Sequence, residues 1–182
     1  CKHFVECINE GQKCHQSDTN VERVQKVKDK LLLVKHDNPV ILVGMGTCGL
    51  ANGAQKIFDA FKEATKDLDQ KVELIPVGCV GYCAKEVIVD IKLPNHPRLS
   101  YSDVTPEDVE GIVEATIKNG NLVDDKVLGL YDSEEPTNGW SSVEKLDELQ
   151  YFKKQEKIIL ENCGIIDPES IEDYIFYDGF KA

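Results

Sequence analysis

The sequence has no apolar run approaching the ~20 residues that a transmembrane helix requires. Its first residues, CKHFVE, lack the apolar stretch of a secretory signal peptide. Basic residues are also scarce, because 21 Lys and Arg stand against 33 Asp and Glu, a formal net charge of −12. Nucleic acids and anionic membranes are bound by clustered basic side chains. We therefore expect a cytoplasmic protein that spans no membrane and binds no nucleic acid.

Catalytic patterns are missing as well. No residue pattern indicates a general base, a nucleophile or a hydride-transfer site, so we expect no catalysis by this chain alone. There is no C-x-x-C pair, which argues against thiol–disulfide exchange. Seven cysteines are present, an odd number that does not suit a disulfide framework in a reducing compartment. They indicate metal ligands or buried thiols instead.

The apolar pattern predicts elements in the order β-α-β-β-β-α. A continuous apolar run at 39–43 is typical of a strand buried on both faces, and a helix follows at about 51–68. Three strands (71–77, 87–91 and 98–104) precede a helix at 105–118. The helical crossover predicts a parallel first pair, and the short turn before the last strand predicts an antiparallel hairpin. The expected fold class is α/β, a thioredoxin-like domain with a four-stranded mixed sheet and flanking helices.

Three segments are predicted along the chain. Residues 1–37 form an N-terminal segment with a helix that begins at the capping box of Thr19. Residues 38–120 form the thioredoxin-like domain. Residues 121–182, rich at first in Asp, Glu, Gly and Pro, form an extended linker with a short helix capped by Asp167. The linker is expected to lead into a further domain.

Three cysteines lie in the two loops that follow the predicted parallel strands. Cys79 and Cys83 form a C-x3-C pair, and Gly81 between them permits a tight loop on which two thiolates converge. Cys48 follows the first strand, and parallel strands end at the same edge of a sheet. A [2Fe–2S] cluster is held by four protein ligands, most often thiolates. We predict Cys48, Cys79 and Cys83 as ligands of such a cluster, although a single buried cysteine is more often a small apolar residue.

A family resemblance rests on these loops. The segments VGMGTC (43–48) and GCVGYC (78–83) resemble the thioredoxin-like [2Fe–2S] ferredoxins. More narrowly, they are similar to the ferredoxin-like domain at the front of NADH-dehydrogenase-type flavoprotein subunits. The segment LENCGIIDPESIEDYI (160–175) resembles the start of the flavin domain in such subunits. The resemblance covers roughly residues 38–118 and 150–182.

The resemblance implies an electron-transfer domain in an NADH-dependent oxidoreductase, either complex-I-like or electron-bifurcating. It implies a [2Fe–2S] cluster in this chain, with FMN and NADH bound by a downstream domain that the chain lacks. The implied partners are other subunits of the complex, namely a small thioredoxin-like ferredoxin subunit and an iron–sulfur subunit.

The first loop departs from the family pattern. Members that hold a cluster carry C-x4-C there, but counting back from Cys48 reaches Val43. A register shifted by one residue places Gly44 and Gly49 at the ligand positions. Only three cysteines are therefore well placed.

Three explanations for the missing ligand stay open. Cys7 or Cys14 of the N-terminal segment could supply a fourth thiolate. A residue other than cysteine could complete the site, as histidines do in Rieske centres. Alternatively, the cluster is lost and the domain is a cluster-free docking module of the same complex. The roles of Cys1 and Cys163 are not assigned by the pattern.

Overall fold

A computed structural model of the protein describes residues 36–131 and 139–177. The chain divides into two compact units, one of residues 38–165 and one of residues 1–37 together with 166–182. The helix predicted from Thr19 and the cysteines at positions 1, 7 and 14 lie outside the described residues. Among the helices of the described ranges, none combines the length and the apolar character needed to cross a membrane.

The larger unit is built on a mixed sheet. Its strands are β1 (Val40–Gly44), β2 (Glu73–Val77), β3 (Val89–Lys92), β4 (Arg98–Tyr101) and β5 (Val127–Leu130). Their spatial order is β2-β1-β3-β4-β5. Strands β1 and β2 are parallel, and the other neighbouring pairs are antiparallel. The predicted parallel pair, the predicted hairpin and the α/β thioredoxin-like class are confirmed.

The sheet has five strands, whereas four were predicted. The additional strand, β5, lies in the stretch predicted as an extended linker, where a short apolar run follows two aspartates and a lysine. Its pairing with β4 aligns Leu130 with Leu99, and the next chain segment lies against its other edge, where the Leu130 amide donates to the Glu144 carbonyl at 2.9 Å. Long-range pairing of this kind, rather than local propensity, makes these residues a strand.

The crossover between β1 and β2 contains two helices, α1 (Thr47–Ala51) and α2 (Ala54–Thr65), where one was predicted. Gly53 separates them with a φ of 93°, a left-handed conformation that favours glycine. The buried side chains of α2 are Ala54, Ile57 and Phe61, which are spaced three and four residues apart and pack into the core.

The predicted helix over 105–118 forms in three consecutive parts. A 3₁₀ turn (Pro106–Asp108) leads into α3 (Val109–Ile112), and a π-helical stretch (Val113–Lys118) follows. Thr105 begins it as predicted, because its backbone amide and its hydroxyl both donate to the Asp108 carboxylate, at 2.8 and 2.9 Å. The core lies between these helices and the sheet, and its largest buried side chains are Trp140, Tyr101 and Phe61.

The described part of the smaller unit contains the short helix α4 (Ile171–Phe176). Ser170 caps it, since its hydroxyl accepts from the Asp173 amide at 3.2 Å and donates to the Asp173 carboxylate at 2.7 Å. The predicted cap, Asp167, instead accepts from the Glu169 amide at 2.9 Å. It forms a turn before the helix, a common alternative role for aspartate.

Candidate metal centre

The sulfur atoms of Cys48, Cys79 and Cys83 lie within 4.8 Å of one another. The Cys48 and Cys83 sulfurs are 2.8 Å apart, and the Cys79 and Cys83 sulfurs are 3.8 Å apart. Cys48 lies in α1 just after β1, while Cys79 lies two residues beyond the end of β2. The parallel pairing of β1 and β2 therefore brings the two loops to one edge of the sheet. The three thiols converge as the sequence predicted, whereas their role as ligands stays a prediction.

Gly46 allows the two cysteine loops to touch. A methyl group on Gly46 would lie 2.8 Å from the Cys79 Cβ and 3.0 Å from the Cys79 backbone nitrogen. Real Cβ atoms essentially never come within 2.8 Å of another atom, and the Cys79 Cβ is fixed to its backbone, so a side chain at this position would push the loops apart. Glycine here is a condition for the convergence of the thiols.

Gly81 shapes the second loop. Its φ of 94° lies in the left-handed region. In this conformation its amide donates a hydrogen bond of 3.3 Å to the Cys79 sulfur. An N–H group aimed at sulfur stabilises the thiolate, and it lowers the pKa of Cys79 against the other influences at the site.

The influences that raise the pKa of Cys79 are stronger than this hydrogen bond. Burial, followed by interaction with the Glu86 carboxylate, raises the pKa of Cys79 to about 12. The hydrogen bond with Cys83 and partial burial raise the pKa of Cys48, and the negative charge of Glu86 adds to the effect. These two thiols are therefore protonated at pH 7, and a metal ion must displace their protons when it binds.

The chain segment 151–164 covers the Cys79–Cys83 loop. The rings of Tyr151 and Tyr82 are stacked with centroids 3.7 Å apart, and the Tyr151 hydroxyl donates to the Gly81 carbonyl at 2.7 Å. A methyl group on Gly164 would lie 2.4 Å from Cγ1 of Val80, so this glycine lies directly against the loop. The segment was predicted as part of a linker, and the structure shows it in contact with the site.

Cys163 belongs to this covering segment. A methyl group on Gly78, the residue before Cys79, would lie 3.3 Å from the Cys163 sulfur. Cys163 is half-buried and does not belong to the set of three sulfurs described above. It is thus a neighbour of the site.

Two residues at the site were missed by sequence reasoning. Glu86 is one of 33 acidic residues, and nothing in its spacing distinguishes it. Tyr151 contacts a residue 70 positions earlier, a distance over which a local pattern carries no signal.

No family model matches this chain. Two solved structures of a thioredoxin-like [2Fe–2S] ferredoxin from Aquifex aeolicus are similar to it, with TM-scores of 0.48 and 0.45 and identities of 23% and 25%. They cover 54% and 51% of this chain and 96% and 98% of their own.

A relative with higher sequence identity shows the family of this chain. The chain is 36% identical over 81 residues to a [2Fe–2S] ferredoxin of Clostridium pasteurianum, a match that covers 43% of this chain and 74% of that protein. The chain therefore belongs to the family of this [2Fe–2S] ferredoxin, which confirms the family that the cysteine loops resemble. The narrower resemblance to NADH-dehydrogenase-type subunits stays a prediction.

The residues present suit an iron–sulfur group. Thiolates are the soft ligands that iron–sulfur clusters take, and three thiols already converge on one point without a disulfide among them. A [2Fe–2S] cluster needs one more protein ligand than these three supply.

Proposed function

We propose that this chain is the electron-transfer domain of an NADH-dependent flavoprotein oxidoreductase subunit, complex-I-like or electron-bifurcating, located in the cytoplasm. It would hold a [2Fe–2S] cluster through Cys48, Cys79 and Cys83. Membership of the ferredoxin family supports an electron-transfer role. The cluster assignment rests on one observation: the sulfurs of Cys48, Cys79 and Cys83 lie within 4.8 Å of one another.

When bound, a [2Fe–2S] cluster accepts and releases one electron. The protein supplies the thiolates and sets the stability of the two charge states. The Gly81 amide, 3.3 Å from the Cys79 sulfur, stabilises negative charge on that ligand and so favours the reduced state. The ring of Tyr82, which belongs to the loop, stacks on the ring of Tyr151. The positive charge of Lys157 interacts with Cys79 and Cys163.

The wider context rests on the resemblance of residues 160–175 to the start of a flavin domain. In this proposal, FMN and NADH bind to a downstream domain. The partners are a small thioredoxin-like ferredoxin subunit and an iron–sulfur subunit of the same complex. The chain itself relays or stores electrons and performs no chemistry on a substrate.

The second candidate function is a cluster-free docking module of that complex. It is favoured by the first loop, where a register shifted by one residue places Gly44 and Gly49 at the positions of the family's cysteines. A methyl group on Gly49 would lie 2.0 Å from the Gly44 carbonyl oxygen, so no cysteine fits there in this backbone.

Anaerobic purification followed by iron and acid-labile sulfide analysis distinguishes the two candidates. The electron-transfer proposal expects close to two irons and two sulfides per chain, with visible absorption that bleaches on reduction by dithionite. Cys79→Ser and Cys83→Ser variants should each lose most of this absorption. A colourless, fully folded wild-type protein that takes up no iron would reject the cluster and leave the docking module.

The flavoprotein context has its own test. In the complex that contains this subunit, NADH should bleach the cluster absorption within the turnover time of the enzyme. The isolated 182-residue chain with a loaded cluster should not respond to NADH. A loaded subunit that stays oxidised in an NADH-reduced complex would contradict the assignment.

A further inference from the structure

The Glu86 side chain is buried at the site without a full set of partners. It follows the 3₁₀ turn Cys83–Lys85, and the residue is 9% exposed. Its Oε2 accepts a hydrogen bond of 3.0 Å from the Ile88 amide. Its Oε1 is buried and has no hydrogen-bond partner within the described ranges. Burying a carboxylate oxygen in this way is unfavourable unless a cation or a donor meets it.

Asp90, a second buried carboxylate in the same sheet, differs from Glu86 because it has a cationic partner. One of its oxygens also has no hydrogen-bond partner, but the other accepts from the Arg98 guanidinium at 2.5 and 3.1 Å. Asp90 is thus neutralised by an ion pair. For Glu86, no ion pair with a described residue exists. Of these two buried carboxylates, Glu86 is the one without a cationic partner in the described part of the chain.

The Glu86 carboxylate lies next to the first cysteine loop. A methyl group on Gly44 would lie 3.1 Å from Oε2 and 3.6 Å from Oε1 of Glu86. A methyl group on Gly49 would lie 3.4 Å from Oε2. Gly44 ends β1 and Gly49 lies beside Cys48 in α1, so the carboxylate lies against the loop that carries Cys48 and lacks a second cysteine.

The same carboxylate also lies near enough to the thiols to act on them. Glu86 interacts with the Cys79 sulfur, and its charge acts on Cys48 as well. A [2Fe–2S] cluster requires four protein ligands, and a carboxylate oxygen is an acceptable ligand for iron. A bound iron would also supply the cation that Oε1 lacks.

We propose that Glu86 is the fourth protein ligand, so that three thiolates and one carboxylate hold the two irons. This inference rests on the proposed function and specifies its site. Cys163 is the competing donor within the described ranges, because its sulfur lies beside Gly78. Cys7 and Cys14 are the competing donors that the sequence offers outside those ranges.

The test compares anaerobically assembled full-length proteins: wild type, Glu86→Ala, Glu86→Gln, Glu86→Cys, Cys163→Ser and a Cys7→Ser/Cys14→Ser double variant. The readouts are iron and sulfide per chain, visible absorption, and the EPR spectrum after dithionite reduction. Glu86→Gln keeps an acceptor for the Ile88 amide, so this variant carries the test if Glu86→Ala fails to fold. Glu107→Gln, an exposed site on another element, is the matched control for the loss of one charge.

We expect Glu86→Ala and Glu86→Gln to lose at least half of the iron per folded chain. Glu86→Cys should restore wild-type iron with stronger, red-shifted absorption and changed EPR g-values, because sulfur replaces oxygen on one iron. The Cys163 variant, the double variant and Glu107→Gln should match wild type. Wild-type iron content with an unchanged EPR spectrum in the Glu86 variants would overturn the inference, as would loss of iron in a cysteine variant. If wild type itself takes up no iron and sulfide, the proposed function fails, and the inference fails with it.

Discussion

The Tyr151 hydroxyl lies 2.7 Å from the carbonyl oxygen of Gly81, to which it donates a hydrogen bond across 70 residues of sequence. The same Gly81 offers its amide to the Cys79 sulfur at 3.3 Å. Gly81 thus accepts a hydrogen bond from the covering segment (residues 151–164) through its carbonyl, and donates one through its amide to Cys79, a proposed ligand. The covering segment and the sulfur site therefore share hydrogen bonds to the same residue, Gly81.

Tyr151→Phe should weaken that connection without removing the ring stack. Loss of one hydrogen bond of this kind costs about 1 kcal/mol, which corresponds to roughly a fivefold change in an equilibrium constant. We expect an iron chelator to remove the cluster several-fold faster from the variant, measured by the decay of visible absorption. Tyr151→Leu, which also loses the stacking on Tyr82, should release iron faster still. Equal rates in all three proteins would show that the covering segment does not protect the site.

The fold was predictable from the sequence where local pattern and burial agree. The apolar run that forms β1 and the cap at Thr105 both appear where expected, because each depends on neighbouring residues alone. Strand β5 was not predictable, since its short apolar run becomes a strand only by pairing with β4. The break at Gly53 was missed because a glycine inside a helical pattern is usually tolerated.

Part of the candidate site was also predictable from the sequence. The convergence of Cys48 with Cys79 and Cys83 follows from parallel strands that end at one edge. The role proposed for Glu86 depends on a buried oxygen and on its closeness to Gly44 and Gly49, which lie about forty residues earlier in the sequence, so no local pattern signals it. Contacts of Tyr151 and Cys163 with the cysteine loop depend on how a segment predicted as a linker folds back.

Cys79 should be the slowest thiol of the three to react with an alkylating agent in the cluster-free protein. The thiolate is the nucleophile, and burial with the nearby Glu86 carboxylate raises the pKa of Cys79 to about 12. At pH 7 to 9 its alkylation rate should therefore rise about tenfold per pH unit, without a plateau. Peptide mapping by mass spectrometry after timed iodoacetamide treatment measures this rate.

The exposed Cys83 thiol serves as the internal reference in that experiment, and we expect it to react at least tenfold faster than Cys79. Glu86→Gln should accelerate Cys79, because the variant removes a negative charge that opposes thiolate formation. A Cys79 rate that levels off below pH 9 would contradict the raised pKa.

Gly46→Ala should impair cluster assembly although it removes no thiol. The added methyl group would lie 2.8 Å from the Cys79 Cβ, so the two loops must separate. We expect iron content to fall by more than half, measured against protein concentration after anaerobic assembly.

Gly111→Ala is the matched control for that substitution. Gly111 lies in α3, and a methyl group there meets nothing within 4 Å. Replacing a helical glycine by alanine stabilises a protein by about 0.5–1 kcal/mol. Gly111→Ala should therefore keep its iron and unfold at a slightly higher urea concentration. Full iron content in Gly46→Ala would show that the loops tolerate separation and that their contact is not required.

Asp108 should make stability depend on pH at the acidic end. Burial by itself raises the pKa of this carboxyl, but hydrogen bonds from Lys126 and from Thr105 outweigh it and lower the pKa overall. A group whose pKa is lowered by folding stabilises the native state when ionised. The stabilisation from ionised Asp108 is fully present above the pKa of the unfolded chain, near 3.8. It is lost as the pH falls through the lower pKa of the native protein.

Asp108→Asn should consequently be less stable than wild type by about 1 kcal/mol at pH 7, the usual effect of losing a helix-capping carboxylate. The difference should shrink as the pH drops below about 3.8, where the carboxyl of the unfolded wild-type chain protonates, and should be lost below the lower native pKa. Urea unfolding followed by circular dichroism at pH 7, 5, 4 and 3 measures it. Glu107→Gln, on the same turn but exposed, should leave the unfolding free energy within about 0.5 kcal/mol of wild type at every pH. If the Asp108→Asn difference stayed constant from pH 7 to pH 3, the carboxylate charge would not be what stabilises this helix start, and the Thr105 hydrogen bonds would suffice with a neutral acceptor.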